Sequence, residues 1–524
     1  MNENFHPKPD FFRPAFRSLN GEWEFECGKA QPLDYFFSTA RYAARCRLPY
    51  SCRSAASGVT EQARSVWYRR TFSLGEEASG TVLLHFSHLS DRSEIFVNAK
   101  LVGVTDGASF VAFDISDCVV RGDNTLVVSV TAASGTTAGI EGTVWLEWSG
   151  KDRILSLGAT AVAAEHRLIV EGYADPCPGS LLEVVLKSPS GKAERYRYRA
   201  EPHFTLSVPC PDLRPWSPDD PALYDLDITL RRPSGEASDR VLTYAAYRTV
   251  TTTGRGILLN GKPFPVAAVR DNLPYGEEGF VPTGTDALRQ TFFYPMSLGF
   301  NAVVTTARKL SPAYLAFADR IGMAVIVEGA ARGNSLLPKR WEELKNIAIG
   351  HPSVIVWNPV SDLYEAPDNI CRVAAELKSF DPARPVLMPK GLCLQHAMQS
   401  ILCNADTPSA ALGAILAPDN TLPPKTKAAL MRQYPSLLTT EAAPYCPVAS
   451  VSVPDETPLA PRLLLRLASA IRALEAVGGA GYCVESLARS DAPGLIEKER
   501  LNISREDQLK LRRLNLAYRT SSRT

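Results

Sequence analysis

Residues 351–362 read His351-Pro352-Ser353-Val354-Ile355-Val356-Trp357-Asn358-Pro359-Val360-Ser361-Asp362. Val354 to Trp357 is a short apolar run, closed by the turn-prone Asn358-Pro359 pair. A run of that length between chain breakers predicts a fully buried strand. Beyond its end stands a carboxylate, Asp362. An acid just past the carboxyl end of a buried strand is where an α/β barrel keeps its chemistry. The stretch therefore predicts a barrel in the C-terminal half, with Asp362 at its mouth.

Working outward, strand-like and helix-like segments alternate through residues 251–524. Phe264 to Val269, Asn301 to Thr305, Met323 to Val327, Ser353 to Trp357, Val386 to Met388, Ile401 to Cys403, Ser436 to Thr440 and Gly481 to Val484 read as strands. Thr285 to Leu298 reads as a helix stopped by Gly299, and Ser311 to Ile321 as one that Ser311-Pro312 opens and Gly322 ends. Leu337 to Ile349 and Pro461 to Val477 are further helices. Ser504, with Asp507 three residues on, opens the last, Arg505 to Tyr518, in a capping-box pattern. Strands and helices in this order and number have the size of a (β/α)8 TIM barrel.

The first half has a different period. From Asn20-Gly21-Glu22-Trp23 onward, apolar and polar residues alternate, as in Val66-Trp67-Tyr68-Arg69-Arg70-Thr71-Phe72, Thr81 to Phe86, Phe110 to Ile115 and Thr125 to Val130. Short strands with turn signals between them predict a β-sandwich or jelly roll over residues 1–150, suited to packing and to carbohydrate contact. Residues 151–250 alternate again in Ile154 to Ala164, His166 to Gly172, Leu181 to Leu186, Tyr196 to Ala200, Leu223 to Leu230 and Val241 to Tyr247. That density of strands suits an immunoglobulin-like β-sandwich acting as a spacer.

Composition excludes several classes. With 45% hydrophobic and 22% charged residues the chain is an ordinary globular sequence, and a net charge of +1 gives no global field to draw nucleic acid or a membrane surface. No apolar run approaches the ~18 residues of a membrane span. The N-terminal residues as written carry no basic region followed by an apolar core, and the 11 cysteines are odd in number and scattered in strand-like runs; both point to reduced core thiols and a cytoplasmic protein. No cysteine or histidine spacing suits a structural zinc, so no metal and no cofactor is expected. A homo-oligomer is compatible with these bounds.

A barrel gathers its carboxyl strand ends round one mouth, so acids far apart in sequence converge there. The strands so counted end at Arg270-Asp271-Asn272, Thr305-Thr306, Glu328, Ser361-Asp362, Lys390, Asn404 with Asp406, Glu441 and Glu485. Two carboxylates facing each other, Asp362 after the fourth strand and Glu441 after the seventh, can serve as acid and nucleophile on a glycosidic bond. Strand-end acids also serve as helix N-caps or rim ion pairs, and spacing alone does not separate these roles.

Several stretches occur in a telling order. They are Leu19-Asn20-Gly21-Glu22-Trp23, Ser90-Asp91-Arg92-Ser93-Glu94-Ile95-Phe96-Val97-Asn98, Gly122-Asp123-Asn124, Trp216-Ser217-Pro218, Tyr247-Arg248, Leu258-Leu259-Asn260-Gly261-Lys262-Pro263, Leu298-Gly299-Phe300-Asn301 and His351 to Trp357. Through them the chain resembles glycoside hydrolase family 2, the β-galactosidases, β-glucuronidases and β-mannosidases, over essentially its whole length. The resemblance implies a jelly roll, an immunoglobulin-like domain and a catalytic barrel acting on a carbohydrate. It implies Glu441 as nucleophile and Asp362 at the place of the acid/base glutamate. Ser361 stands where the family has asparagine, Glu328 matches the second acid of a strand-3 pair, and Asp271 lies in Arg270-Asp271-Asn272 where the family has Asn-Arg-His. Tyr482 stands for a strand-8 tryptophan, and Asn404 and Glu485 complete the expected sugar-binding set.

The departures have physical consequences. Asp is one methylene shorter than Glu, a bond of about 1.5 Å. On an unchanged backbone Asp362 and Glu441 would stand ~6.5–7 Å apart, against about 5–5.5 Å for a retaining pair. The sequence thus predicts a glycoside hydrolase of unusual specificity. The alternative is a degenerate family member that binds carbohydrate or serves in assembly.

Overall fold

The computed structural model describes residues 6–28, 33–52, 54–59, 63–132, 139–253, 256–273, 285–306, 310–328, 344, 347–358, 379, 381–386, 448–451, 459–477, 481–484, 495–497 and 500–521. Two compact units emerge. One is built mainly on residues up to 245; the other takes residues 246–273, most of the chain beyond and the short segment 214–223. The chain is multidomain and rich in β-structure.

In the first unit, residues 16–149 fold into one antiparallel eight-stranded sheet. Its order is Phe16–Ser18, Val144–Ser149, Thr81–Val97, Gly122–Thr131, Ser65–Leu74, Gly21–Cys27, Ala44–Leu48, with Lys100–Asp114 paired to Thr81–Val97. Alternate side chains bury together: Trp23 and Phe25, Val66 and Tyr68, Val82, Leu84 and Phe86, Leu126, Val128 and Val130. This is the period-two pattern turned into a core. The Trp23 indole N–H donates to Leu19 O at 2.8 Å, so the buried ring leaves no polar atom unpaired.

Seven further strands form two antiparallel sheets. One holds His203–Pro209, Arg167–Asp175 and Arg153–Val162; the other holds Ala193–Arg199, Leu181–Lys187, Tyr224–Arg231 and Ala237–Ala245. The strand His203–Pro209 is one the sequence pattern does not single out, because it runs into the Pro-rich stretch; Phe204, Leu206 and Val208 nevertheless alternate as its buried face. An N-terminal arm ties these sheets to the first one. Phe12 bridges to Leu242, and the buried Arg13 guanidinium lies 2.9 Å from Glu147 and 3.0 Å from Asp239.

The second unit contains a parallel sheet of six strands in the order Val354–Asn358, Ala324–Glu328, Ala302–Thr306, Val266–Arg270, Gly481–Val484, Val448–Val451. Four of the expected strands thus lie side by side in chain order, and the expected Gly481–Val484 strand flanks the first. A backbone bridge from Trp357 to Val386 continues the sheet beyond Val354–Asn358. Val448–Val451 is a strand that the sequence reading does not anticipate; the expected strands Ile401–Cys403 and Ser436–Thr440 lie outside the described residues. Val266 to Val269, Ala302 to Val304 and Ala324 to Val327 are buried throughout, as strands covered on both faces must be.

The helices obey their caps. Ser311 accepts from the Tyr314 amide at 3.1 Å to open Pro312–Ile321. Gly322 closes it with φ 76°, where an added Cβ would sit 2.3 Å from Pro218 O; only glycine fits there. Ser504 accepts from the Asp507 amide at 3.1 Å and opens Arg505–Ser521, as the capping pattern predicts. Among the described residues no helix is long and apolar enough to cross a membrane.

Candidate functional site

Strand alternation decides which side chains share a face. Val266 and Ala268, Ala302 and Val304, Ala324 and Ile326, Val356 and Cys483 form one apolar cluster on one side of the parallel sheet. Two residues further along the first four strands come Arg270, Thr306, Glu328 and Asn358. By the period of two they lie on that same face, at its carboxyl end. The register agrees, with Thr306 opposite Glu328 and Glu328 opposite Asn358.

Three of these side chains form one polar group. The buried Glu328 carboxylate receives Arg270 Nη1 on Oε2 and Asn358 Nδ2, at 3.1 Å, on Oε1. Glu328 is only 3% exposed and Arg270 about a quarter exposed at the side chain. The guanidinium offsets a carboxylate charge that burial alone would penalise. Glu328 is thereby held between Arg270 and Asn358 at the carboxyl end of the sheet. Asp271 is also buried. Its Oδ1 accepts from the Leu273 amide and its Oδ2 from the Tyr314 hydroxyl, each at 3.1 Å. Burial, and then the Asp271 charge, raise the Tyr314 hydroxyl well above the usual tyrosine range.

The opposite end of strand Val354–Asn358 explains the residues before it. Asp319, on the helix Pro312–Ile321, accepts from the Ser353 amide at 2.8 Å and lies 2.6 Å from His351 Nδ1. Arg384 donates to the carbonyls of Val354 (2.9 Å), Ala348 (2.8 Å) and His351 (3.0 Å), and Arg248 donates to Val354 O at 2.6 Å. Asp381 joins Arg384 to the Trp357 indole N–H, at 2.7 and 2.8 Å. Burial works against the Asp381 charge, but the Arg384 charge and the Trp357 bond outweigh it and hold the carboxyl below its usual range. His351-Pro352-Ser353 is therefore foundation: it anchors the strand whose far end carries Asn358.

Of the expected site residues, Glu328 and Asp271 lie at these strand ends, and only Glu328 joins the polar group. Tyr482 is a correction. It is fully buried, its hydroxyl is 2.5 Å from Asn515 Oδ1 on the last helix, and its ring lies 5.2 Å from that of Tyr518. Cys483 takes the face shared with Glu328, so its neighbour Tyr482 lies on the opposite, helix-facing side. Asp362, Ser361, Asn404, Glu441 and Glu485 lie outside the described residues. Asn358 is the residue that sequence reading missed; Arg270 stood among the strand-end candidates without a role. A polar residue ending a run that is otherwise buried was the available signal for Asn358.

No family model matches the chain. It is 24% identical over 365 residues to a β-galactosidase of Aeromonas hydrophila, an alignment covering 61% of this chain and 35% of that protein. The chain spans about a third of the length of that curated relative. Among solved structures, a β-glucuronidase of an uncultured Clostridium species superposes with a TM-score of 0.69 at 14% identity, over 96% of this chain and 98% of that one. A GH2 β-galacturonidase from Eisenbergiella tayi, solved bound to galacturonate, superposes with a TM-score of 0.67 at 17% identity, over 99% of both chains. In sequence the chain is similar to curated β-galactosidases, and in fold it is similar to solved β-glucuronidases and a GH2 β-galacturonidase.

Proposed function

We propose that the chain is a β-glycoside hydrolase working by a two-carboxylate mechanism, with Glu441 as nucleophile and Asp362 as general acid/base. The observation that carries the reading is the order of the parallel sheet. Its first strand is flanked by the second on one side and by Gly481–Val484 on the other, the neighbour relation of a closing (β/α)8 barrel. The two β-rich parts before it we read as a jelly roll over residues 1–150 and an immunoglobulin-like sandwich over 151–250. The polar group of Arg270, Glu328 and Asn358 fits one wall of a mouth that binds sugar hydroxyls; Ser361, Asn404 and Glu485 are read as further contacts. Likeness to the β-galactosidase and β-glucuronidase relatives supports a carbohydrate substrate, a β-linked hexoside or hexuronide.

Purified protein assayed on a panel of aryl β-glycosides, galactoside and glucuronide included, tests this. Wild type turns over at least one substrate. Asp362→Asn lowers kcat by about 10²–10⁴-fold, the usual worth of a positioned general acid, and Glu441→Gln abolishes turnover. NMR of the first-formed anomer then separates retention from inversion. Absence of turnover on every glycoside, with sugar binding intact, would instead establish the binding or assembly role.

A further inference from the structure

The strand Ala193–Arg199 is the edge of its four-stranded sheet. Arg195, Arg197 and Arg199 alternate along it, all exposed and all on one face. Charge on an edge strand commonly blocks strand addition, and that alone would explain three arginines. It does not explain what they meet. Leu181–Lys187 pairs beside them with Glu183 opposite Arg197, and Tyr224–Arg231 comes next. Arg195, Arg197 and Arg231 line a shallow cavity of about 440 Å³, with Leu181 and Glu183 among its other walls.

The charges in it are unequal. Glu183 is nearly buried and receives Arg197 Nε at 3.0 Å on one oxygen and Arg231 Nη2 at 3.1 Å on the other. It holds two guanidinium groups in place with one negative charge. Burial opposes that charge, but the bonds from Arg197 and Arg231 and the charges of Arg231 and Arg195 hold the carboxyl below its usual range. Arg195 has no carboxylate within ion-pair distance among the described residues. Arg232, also in the lining, is matched by Asp152 and Glu236. Arg195, Arg197 and Arg231 thus face Glu183 with two positive charges in excess. The cavity already accommodates one carboxylate among fork-shaped donors, the geometry that planar anionic oxygen groups require.

We infer that this face of the second sandwich is a binding site for the sulfate or carboxylate groups of an acidic polysaccharide. Single-stranded nucleic acid fits it less well. The aromatic residues of the strand, Tyr196 and Tyr198, turn away: the Tyr196 hydroxyl lies 2.6 Å from Glu194 Oε2 and 3.1 Å from Pro209 O, and the Tyr198 hydroxyl donates to Ser207 O (2.5 Å) of the facing sheet. No ring lies among the cavity-lining residues, and stacking supplies much of the affinity for unpaired bases.

The test is fluorescence anisotropy on the full chain with four labelled probes: a heparin-derived octasaccharide, an oligogalacturonate, a neutral dextran oligomer and an oligothymidine. At least one acidic glycan binds, dextran does not, and oligothymidine binds about tenfold more weakly than the better glycan. Which glycan binds separates sulfate from carboxylate recognition. Affinity falls about tenfold between low and physiological salt. Arg195→Glu weakens binding by about tenfold or more, and Arg195→Lys retains most of it. Arg199→Glu is the control: Arg199 is paired with Glu201 at 2.9 Å and lies outside the cavity lining. Its reversal leaves binding within about twofold. Absence of binding by both acidic glycans overturns the inference. So does oligothymidine binding as tightly as they do, or an equal loss in Arg199→Glu. All arms read binding alone, so they stand or fall independently of glycosidase activity.

Discussion

Glu328 shows how a strand-end acid is decided by its partners. Its position after an apolar run was legible in the sequence; its state was not. The ion pair with Arg270 crosses the intervening Ala302–Thr306 strand, so it depends on sheet register, which no local pattern carries. Asn358 was hidden for a related reason: beside Pro359 it reads as a turn signal, whereas in the fold it is the last residue of a buried strand and donates to Glu328. Tyr482 was misplaced because one step along a strand exchanges faces. Replacing Glu328 by Gln removes the carboxylate charge that Arg270 meets. Breaking a buried pair costs about 3–5 kcal/mol; since Arg270 is partly exposed, the loss should lie at or below the lower end of that range. Adding Arg270→Met to Glu328→Gln should recover more than half of the loss, measured by urea unfolding. If the double variant is less stable than Glu328→Gln alone, Arg270 is held by something other than this carboxylate.

At the scale of the element, the stretch 351–362 divides into parts with different jobs. Val354 to Trp357 was legible as a buried strand from composition alone. Its first three residues, His351-Pro352-Ser353, gain their meaning from distant groups: Asp319 on a preceding helix, Arg384 further along the chain and Arg248 at the entry to the unit. Arg384 is the hub, donating to three backbone carbonyls and to Asp381. Arg384→Met keeps much of the side-chain volume but removes the donor to the Ala348 and His351 carbonyls and the cation beside Asp381, leaving Val354 O to Arg248. The expected cost is about 3–5 kcal/mol, with faster amide exchange along 351–357 and little change in 16–149. Uniform exchange changes across both regions would count against a local foundation. The strand Val448–Val451 illustrates the opposite limit. Four residues without helical or strand length carry little signal, and only the parallel pairing with Gly481–Val484 makes them a strand.

For the whole molecule, the change from period two to alternating strand and helix made the β-rich first half and the parallel sheet legible, because both periods arise from local geometry. The assignment of 214–223 to the second unit was not legible; it follows from bonds such as Trp216 Nε1 to Asp319 O at 2.8 Å, which join residues far apart in the chain. The same holds for the seam of the first unit, where Glu147 connects the N-terminal arm, the eight-stranded sheet and, through Arg13, Asp239 of the following sheets. Glu147 is 1% exposed; His6 Nε2 and His85 Nε2 lie 3.2 and 3.4 Å from its oxygens, and the Trp145 indole N–H donates to it at 2.9 Å. Burial alone would raise its carboxyl, but the His6 and His85 interactions and the Arg13 charge outweigh this and hold it far below the ordinary 4.5. A carboxylate depressed in the folded state contributes stability that is present above its unfolded value and is lost as pH falls toward the folded one. The loss should therefore begin near pH 4.5 and continue downward, at up to about 1.4 kcal/mol per pH unit from this one group. Glu147→Gln should be less stable than wild type at pH 6, and the difference should shrink steadily between pH 4.5 and 3 in urea titrations of the two proteins. A difference that stays constant across that interval would mean that Glu147 contributes by packing and hydrogen bonding rather than by its charge.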